Sequence, residues 1–227
     1  MKKYIWLLGA LAFGACSTTQ PSSEFTLTNE ADSLSYAIGI SMGESLNQQP
    51  IEGLNVEAIQ VGLEKQIEGS NEWDLADVDM YIRTVINARA EAKNAQVKEE
   101  SAKFLEENKG KDGVMTTETG LQYKVITEGT GASPMPNDNV TLHYHGTLID
   151  GTVFDSSVDK GKPITMPANR FIPGFTEGLL MMKEGGKRVL YIPSNIGYGD
   201  RPAPGSKIPP GSALVFEIEL ISVQPAQ

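Results

Sequence analysis

Two patterns of apolar and polar positions divide the chain near Gly113. Before this point, apolar residues recur every three or four positions, which is the period of an α-helix, and no proline occurs in residues 51 to 113. After it, apolar and polar residues alternate, which is the period of a β-strand, and glycine and proline are frequent. The sequence therefore predicts a helical first half and a second half rich in strands and turns.

The first half contains two short amphipathic helices. One opens at Asp32, and the other covers about residues 55 to 68. Their apolar stripes consist of Leu34, Ile38 and Met42 in the first helix, and of Val56, Ile59, Leu63 and Ile67 in the second. Both helices are too small to form a core alone, so each apolar face needs a partner.

A long third helix is predicted over residues 74 to 109, with Asp74 as its N-cap. If it is continuous, it spans about 54 Å at 1.5 Å per residue. Its apolar stripe fades after Arg89, and its second half is polar on every face. We therefore expect the second half to be a solvent-exposed stalk that is not buried. The glycine-containing residues 109 to 113 are predicted to end the helix and to act as a hinge.

The short helices and the apolar start of the long helix must be covered by something. A second copy of the same segment would do so in a two-fold dimer. The alternative is a monomer whose short helices pack on the start of the long helix, and composition leaves both alternatives open.

Period-two alternation predicts several antiparallel strands in the second half. The runs are Leu121, Tyr123 and Val125; Val140, Leu142 and Tyr144; Val189 and Tyr191; and Leu214, Phe216, Ile218 and Leu220. One short helix, residues 174 to 182, interrupts the strands and is expected to fill the concave side of the sheet. The predicted fold class is α+β.

Composition narrows the classes of function. With 40% apolar and 21% charged residues, the chain is typical of a globular protein rather than a disordered or multi-span membrane protein. Its formal charge of −10 argues against phosphate neutralisation, so nucleic acid is not an expected partner. A single cysteine excludes both an internal disulfide and a cysteine-based zinc cage.

The N-terminus has the pattern of a targeting segment. Residues 1 to 15 combine lysines, a short apolar run and small residues, as in a signal peptide. Cys16 follows at once, and residues 13 to 16 resemble a bacterial lipobox, in which the cysteine is acylated. Residues 16 to 30 are then expected to form a lipidated tether. The alternative is that Cys16 is the last residue of an ordinary signal peptide.

Polar catalytic motifs are scarce in this sequence. It contains no G-x-S-x-G, no H-E-x-x-H and no paired histidine and cysteine. His143 and His145 lie two residues apart on one face of a predicted strand, but two imidazoles without a third ligand make a poor zinc site. We therefore expect an exposed or hydrogen-bonded histidine pair, no metal site and no cofactor.

Apolar side chains are more informative. Large apolar residues are concentrated at strand ends and turns of the second half, where solubility alone would place polar ones. With Asp155 beside Phe154, this set suggests an apolar pocket that carries a few polar groups.

Several motifs in residues 115 to 223 strongly resemble the FKBP-type peptidyl-prolyl isomerases. They are Glu128-Gly129-Thr130-Gly131, His143-Tyr144-His145-Gly146, Phe154-Asp155-Ser156-Ser157, Ile172-Pro173-Gly174-Phe175, Ile196-Gly197-Tyr198-Gly199 and Ile208-Pro209-Pro210-Gly211. The first half is similar to the N-terminal domain of Mip-like FKBP lipoproteins, through residues 35 to 39 and 55 to 63. The resemblance implies an antiparallel half-barrel wrapped on a short helix in residues 114 to 227. It also implies a dimerisation domain in residues 31 to 72 and a linker helix in residues 73 to 110.

The resemblance also implies roles for individual residues. The Tyr198 hydroxyl and the Ile172 backbone N–H would each bind a substrate carbonyl, and Asp155 would be the polar group at the pocket edge. Two positions depart from the family. Phe175 stands at the pocket floor, where the family usually has tryptophan, and Met166 stands where an aromatic residue is usual. The implied catalytic residues are Tyr144, Phe154, Asp155, Ile172, Tyr198 and Phe216, and the implied substrate-binding residues are Met166, Phe171, Phe175 and Ile208.

The implied function is peptidyl-prolyl cis-trans isomerisation of unfolded or nascent secreted polypeptides that contain proline. A homodimer with chaperone activity, a lipid anchor at Cys16, a periplasm-facing outer-membrane location and binding of macrolide inhibitors are also implied. Two alternatives stay open: a non-catalytic holdase that uses the same apolar pocket, and a structural lipoprotein in which the pocket is simply core.

Overall fold

The computed structural model of the chain describes residues 25–48, 51, 53–202 and 205–226. The chain divides into two compact units, one ending at Asn71 and the other beginning at Glu72. The predictions for the signal peptide, for Cys16 and for most of the tether lie outside the described residues.

The first unit contains two helices, α1 (Glu30–Gln48) and α2 (Val56–Glu68). The bounds of α2 are as predicted: the Asn55 side chain accepts a hydrogen bond from the Ala58 N–H at 3.2 Å, and Gly69 ends the helix with φ at 70°. Helix α1 is longer than predicted. It begins before Asp32 because the Asn29 side chain accepts the Asp32 N–H at 2.9 Å, and it continues through two glycines, each of which costs only about 1 kcal/mol.

The apolar stripes of these two helices remain accessible within the chain. In α1, Leu34 is 62% exposed and Ile38 is 52% exposed, and in α2, Leu63 is 42% exposed. The expectation that the short helices cannot cover themselves is therefore confirmed for the described residues. In the part of the chain that the structure describes, no helix is both long enough and apolar enough to cross a membrane.

The second unit opens with α3 (Leu75–Asn108), whose N-cap is Asp74 as predicted. The prediction that its second half is an unburied stalk is wrong at the C-terminal end. Ser101 is 5% exposed and Asn108 is fully buried, because Asn108 bonds to Gln122 of the sheet that follows and Ser101 bonds to Ala213, just before the last strand. The Asn108–Gln122 bond joins the helix end to the sheet across residues 109 to 113, so this segment does not act as a free hinge.

A seven-stranded antiparallel sheet forms the rest of this unit. Its order is β1-β2-β6-β7-β3-β4, and β5 pairs with the same edge of β3 as β4 does, at the other end of that strand. The strands are β1 (Val114–Thr116), β2 (Gln122–Thr127), β3 (Asn139–Leu148), β4 (Val153–Ser156), β5 (Ile164–Pro167), β6 (Lys187–Ile192) and β7 (Leu214–Gln224). A short helix, α4 (Pro173–Leu180), follows a 3₁₀ turn at Ala168–Arg170, and a second 3₁₀ turn lies at Ser194–Ile196. The α+β fold class is confirmed.

The core lies between the inner face of the sheet and α4. Phe175, Leu179 and Met182 are at most 2% exposed, as their predicted common face requires. Strand β7 also follows the predicted phase, with Leu214, Phe216, Ile218 and Leu220 buried.

The predicted phase of β6 is wrong. Its buried positions are Arg188, Leu190 and Ile192, whereas Val189 and Tyr191 occupy the outer face. The alternation gave the wrong face because Tyr191 has an apolar partner outside the core. The Tyr191 ring lies 6.0 Å from the ring of Phe104 in α3, measured between centroids. Both faces of this strand are therefore partly covered, and alternation no longer identifies the inner one.

Candidate active site

An open cavity of about 320 Å³ lies where strands β3, β4, β5 and β7 meet the start of α4. The apolar side chains around it come from distant parts of the chain and are brought together by the curvature of the sheet. Its lining consists of Tyr144, Phe154, Asp155, Ile164, Met166, Arg170, Phe171, Ile172, Phe175, Tyr198 and Phe216.

The floor of the cavity is built from aromatic rings. Phe175 is 2% exposed, and its ring stacks on Phe171 at 4.5 Å between centroids. Phe216 meets the Phe175 ring edge-on at 5.0 Å and the Phe154 ring at 5.4 Å. Edge-to-face contacts of this kind fix ring orientation as well as burying area. The floor is therefore a preformed apolar surface.

Gly146 on β3 makes the packing of these rings possible. A Cβ atom at this position would lie 2.7 Å from the Phe216 ring and 2.8 Å from the Phe154 ring, closer than carbon atoms can approach. The Phe154 and Phe216 rings can both pack against the strand here only because residue 146 has no side chain.

Asp155 supplies a negative charge at the cavity edge. Its carboxylate accepts a hydrogen bond from the Tyr144 hydroxyl at 2.5 Å and another from Lys160 Nζ at 2.6 Å. Burial raises the pKa of Asp155, but the hydrogen bonds from Lys160 and Tyr144 and the positive charge of Lys160 outweigh it, so the pKa lies below its usual value. The carboxylate is therefore ionised at neutral pH.

The two tyrosines of the cavity keep their protons at neutral pH. Burial, followed by the hydrogen bond to Asp155, raises the pKa of Tyr144 well above its usual range. Burial and the charge of Asp155 also raise the pKa of Tyr198. Both hydroxyls remain neutral hydrogen-bond donors.

Two donors at the rim are free to bind a ligand. Among the described residues, no hydrogen bond uses either the Tyr198 hydroxyl or the Ile172 N–H. Ile172 directly precedes α4, whose first residue is Pro173, so its N–H lies at the helix start, where backbone donors have no partner within the helix. The cavity thus combines an apolar floor with two unpaired donors and one carboxylate.

The structure brings together nine of the ten residues proposed for the site. The exception is Ile208, which is 6% exposed and packs in the core without lining the cavity. Sequence reasoning missed Ile164 and Arg170. Ile164 is a large aliphatic residue two positions before Met166, so the search for large apolar residues could have included it, but that search could not identify Arg170.

The histidine pair lies on the opposite face of the sheet. His143 Nδ1 lies 3.1 Å from Ser157 Oγ, and His145 Nδ1 lies 2.9 Å from Ser156 Oγ. The prediction of a hydrogen-bonded pair is therefore confirmed. Within the described part of the chain, no three histidine, cysteine or acidic side chains are grouped so that they could hold a metal ion.

Two family models match the chain. Residues 131–221 match the model of the FKBP-type peptidyl-prolyl cis-trans isomerases. Residues 31–125 match the model of the domain amino-terminal to FKBP-type peptidyl-prolyl isomerases. The two matches together include parts of both units of the fold.

Individual relatives match over most of the chain. The FKBP-type 22 kDa peptidyl-prolyl cis-trans isomerase of Escherichia coli is 45% identical over 193 residues, which cover 83% of this chain and 93% of that protein. The outer membrane protein MIP of Legionella longbeachae is 39% identical over 221 residues, 93% of this chain and 94% of that protein. The crystal structure of FkpA from Escherichia coli aligns with a TM-score of 0.72 at 31% identity, covering 89% of this chain and 100% of the other.

Proposed function

The chain belongs to the FKBP-type peptidyl-prolyl cis-trans isomerases, and we propose that the cavity around Phe175 binds the proline ring and carries out the isomerisation. The natural substrates would be secreted or outer-membrane polypeptides whose folding is limited by cis-trans isomerisation of an X-Pro bond. Uncatalysed isomerisation takes tens of seconds or more, which is slow enough to limit folding.

The chemistry requires rotation about a partial double bond. The barrier is about 18 to 20 kcal/mol because twisting the bond breaks amide resonance. A planar amide is more polar than a twisted one, so a wall that excludes water favours the twisted form relative to the planar one. The aromatic rings of Phe154, Phe175 and Phe216 would supply that wall.

Fixed donors would hold the peptide while the bond turns. The Tyr198 hydroxyl and the Ile172 N–H would each bind a carbonyl that flanks the proline, so that rotation is confined to the one bond. Asp155 would orient the Tyr144 ring through their hydrogen bond and keep the cavity edge negatively charged. The step needs no nucleophile and no proton transfer.

The observation that carries this proposal is the pair of unpaired donors above an aromatic floor. An exchange assay by NMR on an X-Pro peptide tests it with the full chain. We expect Tyr198→Phe and Asp155→Ala each to lower turnover by about tenfold, the loss of a hydrogen bond worth about 1.4 kcal/mol in the transition state. Tyr123→Phe is the matched control, because Tyr123 is also on the inner face but outside the cavity.

Turnover equal to wild type in both cavity variants would refute the assigned roles. Thermal unfolding of each variant, measured alongside, separates a loss of chemistry from a loss of fold. A proline-mimicking macrolide should bind the cavity and inhibit the wild-type chain.

The proposed location is the bacterial outer membrane, facing the periplasm, with a lipid anchor at Cys16. A relative with 39% identity is named an outer membrane protein, which supports the envelope. Acyl chains contribute about 0.8 kcal/mol per buried CH₂, so a multiply acylated cysteine would hold the protein firmly. Metabolic labelling with a radioactive fatty acid tests this: wild type should be labelled and Cys16→Ser should not.

A homodimer is also part of the proposal, formed through the first unit. Its support is the exposure of large apolar residues along α1 and α2, which a monomer leaves in water. Sedimentation at micromolar concentration should give a dimer for wild type and a monomer for Ile38→Glu. Met135→Glu is the control, because Met135 is a comparably exposed apolar residue in the second unit. A wild-type monomer would refute the dimer.

The second candidate function is that of a holdase, which the same exposed apolar residues favour. Two cavities on one dimer would hold an unfolded client by avidity, and catalysis would be incidental. Suppression of aggregation should then survive Asp155→Ala but fail in Ile38→Glu. Equal suppression by Ile38→Glu and wild type would count against the holdase.

A further inference from the structure

The end of α3 is attached to the sheet by buried polar bonds. Asn108 Nδ2 donates to Gln122 Oε1 at 2.9 Å, and Gln122 Nε2 donates to the backbone oxygen of Leu105 at 2.7 Å. Buried amides cost free energy unless they are bonded, so sliding the helix along the sheet would break these bonds and leave their groups unpaired. The position of the last turns of α3 is therefore fixed with respect to the sheet.

Two further contacts join α3 to the loop between β6 and β7, residues 193 to 213. The Ser101 hydroxyl accepts the Ala213 N–H at 2.9 Å, and this bond is buried. Lys98 Nζ lies 2.8 Å from Asp200 Oδ2. The two contacts are one helical turn apart on α3, and they secure opposite parts of the same loop.

The stem of Lys98 also packs on the backbone of the loop. A Cβ atom at Gly211, which has φ at +80°, would lie 2.4 Å from Lys98 Cγ. Gly211 N–H in turn donates to the Gly199 oxygen at 3.0 Å, and Gly199 N–H donates to the Ser194 oxygen at 2.8 Å. This series of contacts runs from α3 to the residue that follows Tyr198.

Tyr198 lies in this loop between two glycines. Gly199 has φ at +65°, a conformation that glycine adopts at low cost, and it is held by the backbone bonds just described. A cleft of about 470 Å³ separates part of the loop from α3, so α3 reaches the loop near Tyr198 through few contacts. The contacts from Lys98 and Ser101 are therefore the links through which α3 can influence the position of the tyrosine.

We propose that Lys98 and Ser101 are positioning residues for Tyr198, and that the end of the linker helix thereby belongs to the isomerase site. This inference rests on the proposed role of the Tyr198 hydroxyl as a donor to substrate. A donor contributes to the transition state only when it is already in place, because ordering it during the reaction costs entropy. Loosening the loop should lower kcat more than it changes KM.

The experiment measures kcat and KM of the full chain on an X-Pro peptide. We expect Ser101→Ala and Lys98→Met each to lower kcat by about three- to tenfold, and Lys98→Arg, which restores the cation, to recover most of it. Lys103→Met is the matched control. Lys103 belongs to an exposed pair with Glu107 on the same helix, 3.9 Å apart, and touches no part of the loop through that pair.

A double-variant cycle distinguishes positioning from general destabilisation. If Ser101 acts through Tyr198, the effect of Ser101→Ala on kcat should disappear in a Tyr198→Phe background. Hydrogen exchange gives a second readout: the amides of Gly211 and Ala213 should exchange faster in Ser101→Ala, while those of β3 should not change.

Different results overturn different claims. Unchanged turnover in Tyr198→Phe would overturn the hydroxyl's role, and the positioning with it. A normal loss in Tyr198→Phe with unchanged turnover and exchange in Ser101→Ala would overturn the positioning alone. Full additivity of the two substitutions would do the same, because it would show that Ser101 acts independently of the tyrosine.

Discussion

The sheet together with α4 (the sheet unit) and the two helices of the first unit (the helical unit) differ in how far they bury their apolar side chains. In the sheet unit, Leu179, Leu190 and Leu214 are fully buried between the strands and α4. In the first unit, Leu34, Val56 and Ile67 are each more than 60% exposed. The sheet and α4 cover each other's apolar faces, whereas the two short helices leave most of their apolar surface exposed.

This difference bears on function. A closed core can hold the rings of a cavity in fixed orientations, and catalysis by shape depends on that rigidity. An open apolar face gains its burial from another molecule, so it suits association with a second copy or with an unfolded client. The sheet unit is thus suited to holding the cavity rigid, whereas assembly through the helical unit is a proposal.

The largest expected effect comes from removing one buried leucine. Leu179→Ala should lower the free energy of unfolding of the sheet unit by about 2 to 5 kcal/mol, because a closed core cannot refill the cavity. Leu63→Ala, at a residue that is 42% exposed in α2, should leave that transition unchanged and weaken self-association instead. Urea unfolding and sedimentation measure the two effects. A comparable loss of sheet-unit stability in both variants would contradict the contrast between the units.

A matched pair of glycine substitutions should give effects of opposite sign. Gly146→Ala places a methyl group against the Phe154 and Phe216 rings and should cost about 1 to 3 kcal/mol, with a loss of turnover. Gly39→Ala meets nothing within 4 Å in α1 and should stabilise that helix by about 0.5 to 1 kcal/mol. Circular dichroism during thermal unfolding, with turnover, tests both. Weaker self-association in Gly39→Ala would instead place Gly39 within the dimer contact.

The pH dependence of the cavity should be flat across the neutral range. The lowered pKa of Asp155 means that its stabilising bonds are complete above the ordinary value of 3.8 and are lost as pH falls through the lowered one. The raised pKa of Tyr198 means that its neutral form persists up to and above the ordinary value of 10.0. Turnover between about pH 6 and 9 should therefore be constant. A titration step within that range, in a pH profile of kcat, would show that another group takes part.

The smallest effect is expected on the outer face of the sheet. Lys187 and Glu219 form an ion pair at 3.0 Å, with both side chains nearly half exposed. Solvent screens such pairs, so Lys187→Met should change the free energy of unfolding by less than about 1 kcal/mol. Urea unfolding at low and high salt measures it, and a larger loss would mean that the outer face is more closed than its exposure indicates.

Sequence reasoning predicted the elements with strong local signals. Helix α3 begins directly after the aspartate that was expected to cap it, α2 has nearly the predicted bounds, and β7 shows the predicted alternation. It did not identify β1, β4 or β5 as strands, because they have only three or four residues each, too few to show a period.

Two errors share one physical origin. The end of α3 was taken as a stalk because it is polar, and Val189 and Tyr191 were assigned to a strand pattern whose buried positions are in fact Leu190 and Ile192. In the structure, the helix covers the outer face of β6 there, so polar helix residues become buried and an outward tyrosine gains a partner. Neither contact can be detected from the local pattern of apolar and polar residues.

The amino-acid sequence by itself determined the helix caps, the strand alternation and the set of aromatic residues that the cavity would need. Those properties are local, since they depend on neighbours along the chain or on the chemistry of single residues. Only the tertiary structure decided that Ile208 enters the core, that Arg170 reaches the cavity and that α3 docks beside the loop of Tyr198. These outcomes depend on which surfaces, distant along the chain, pack against each other. The free energy of burying a residue depends on the surface that covers it and not on the residue alone.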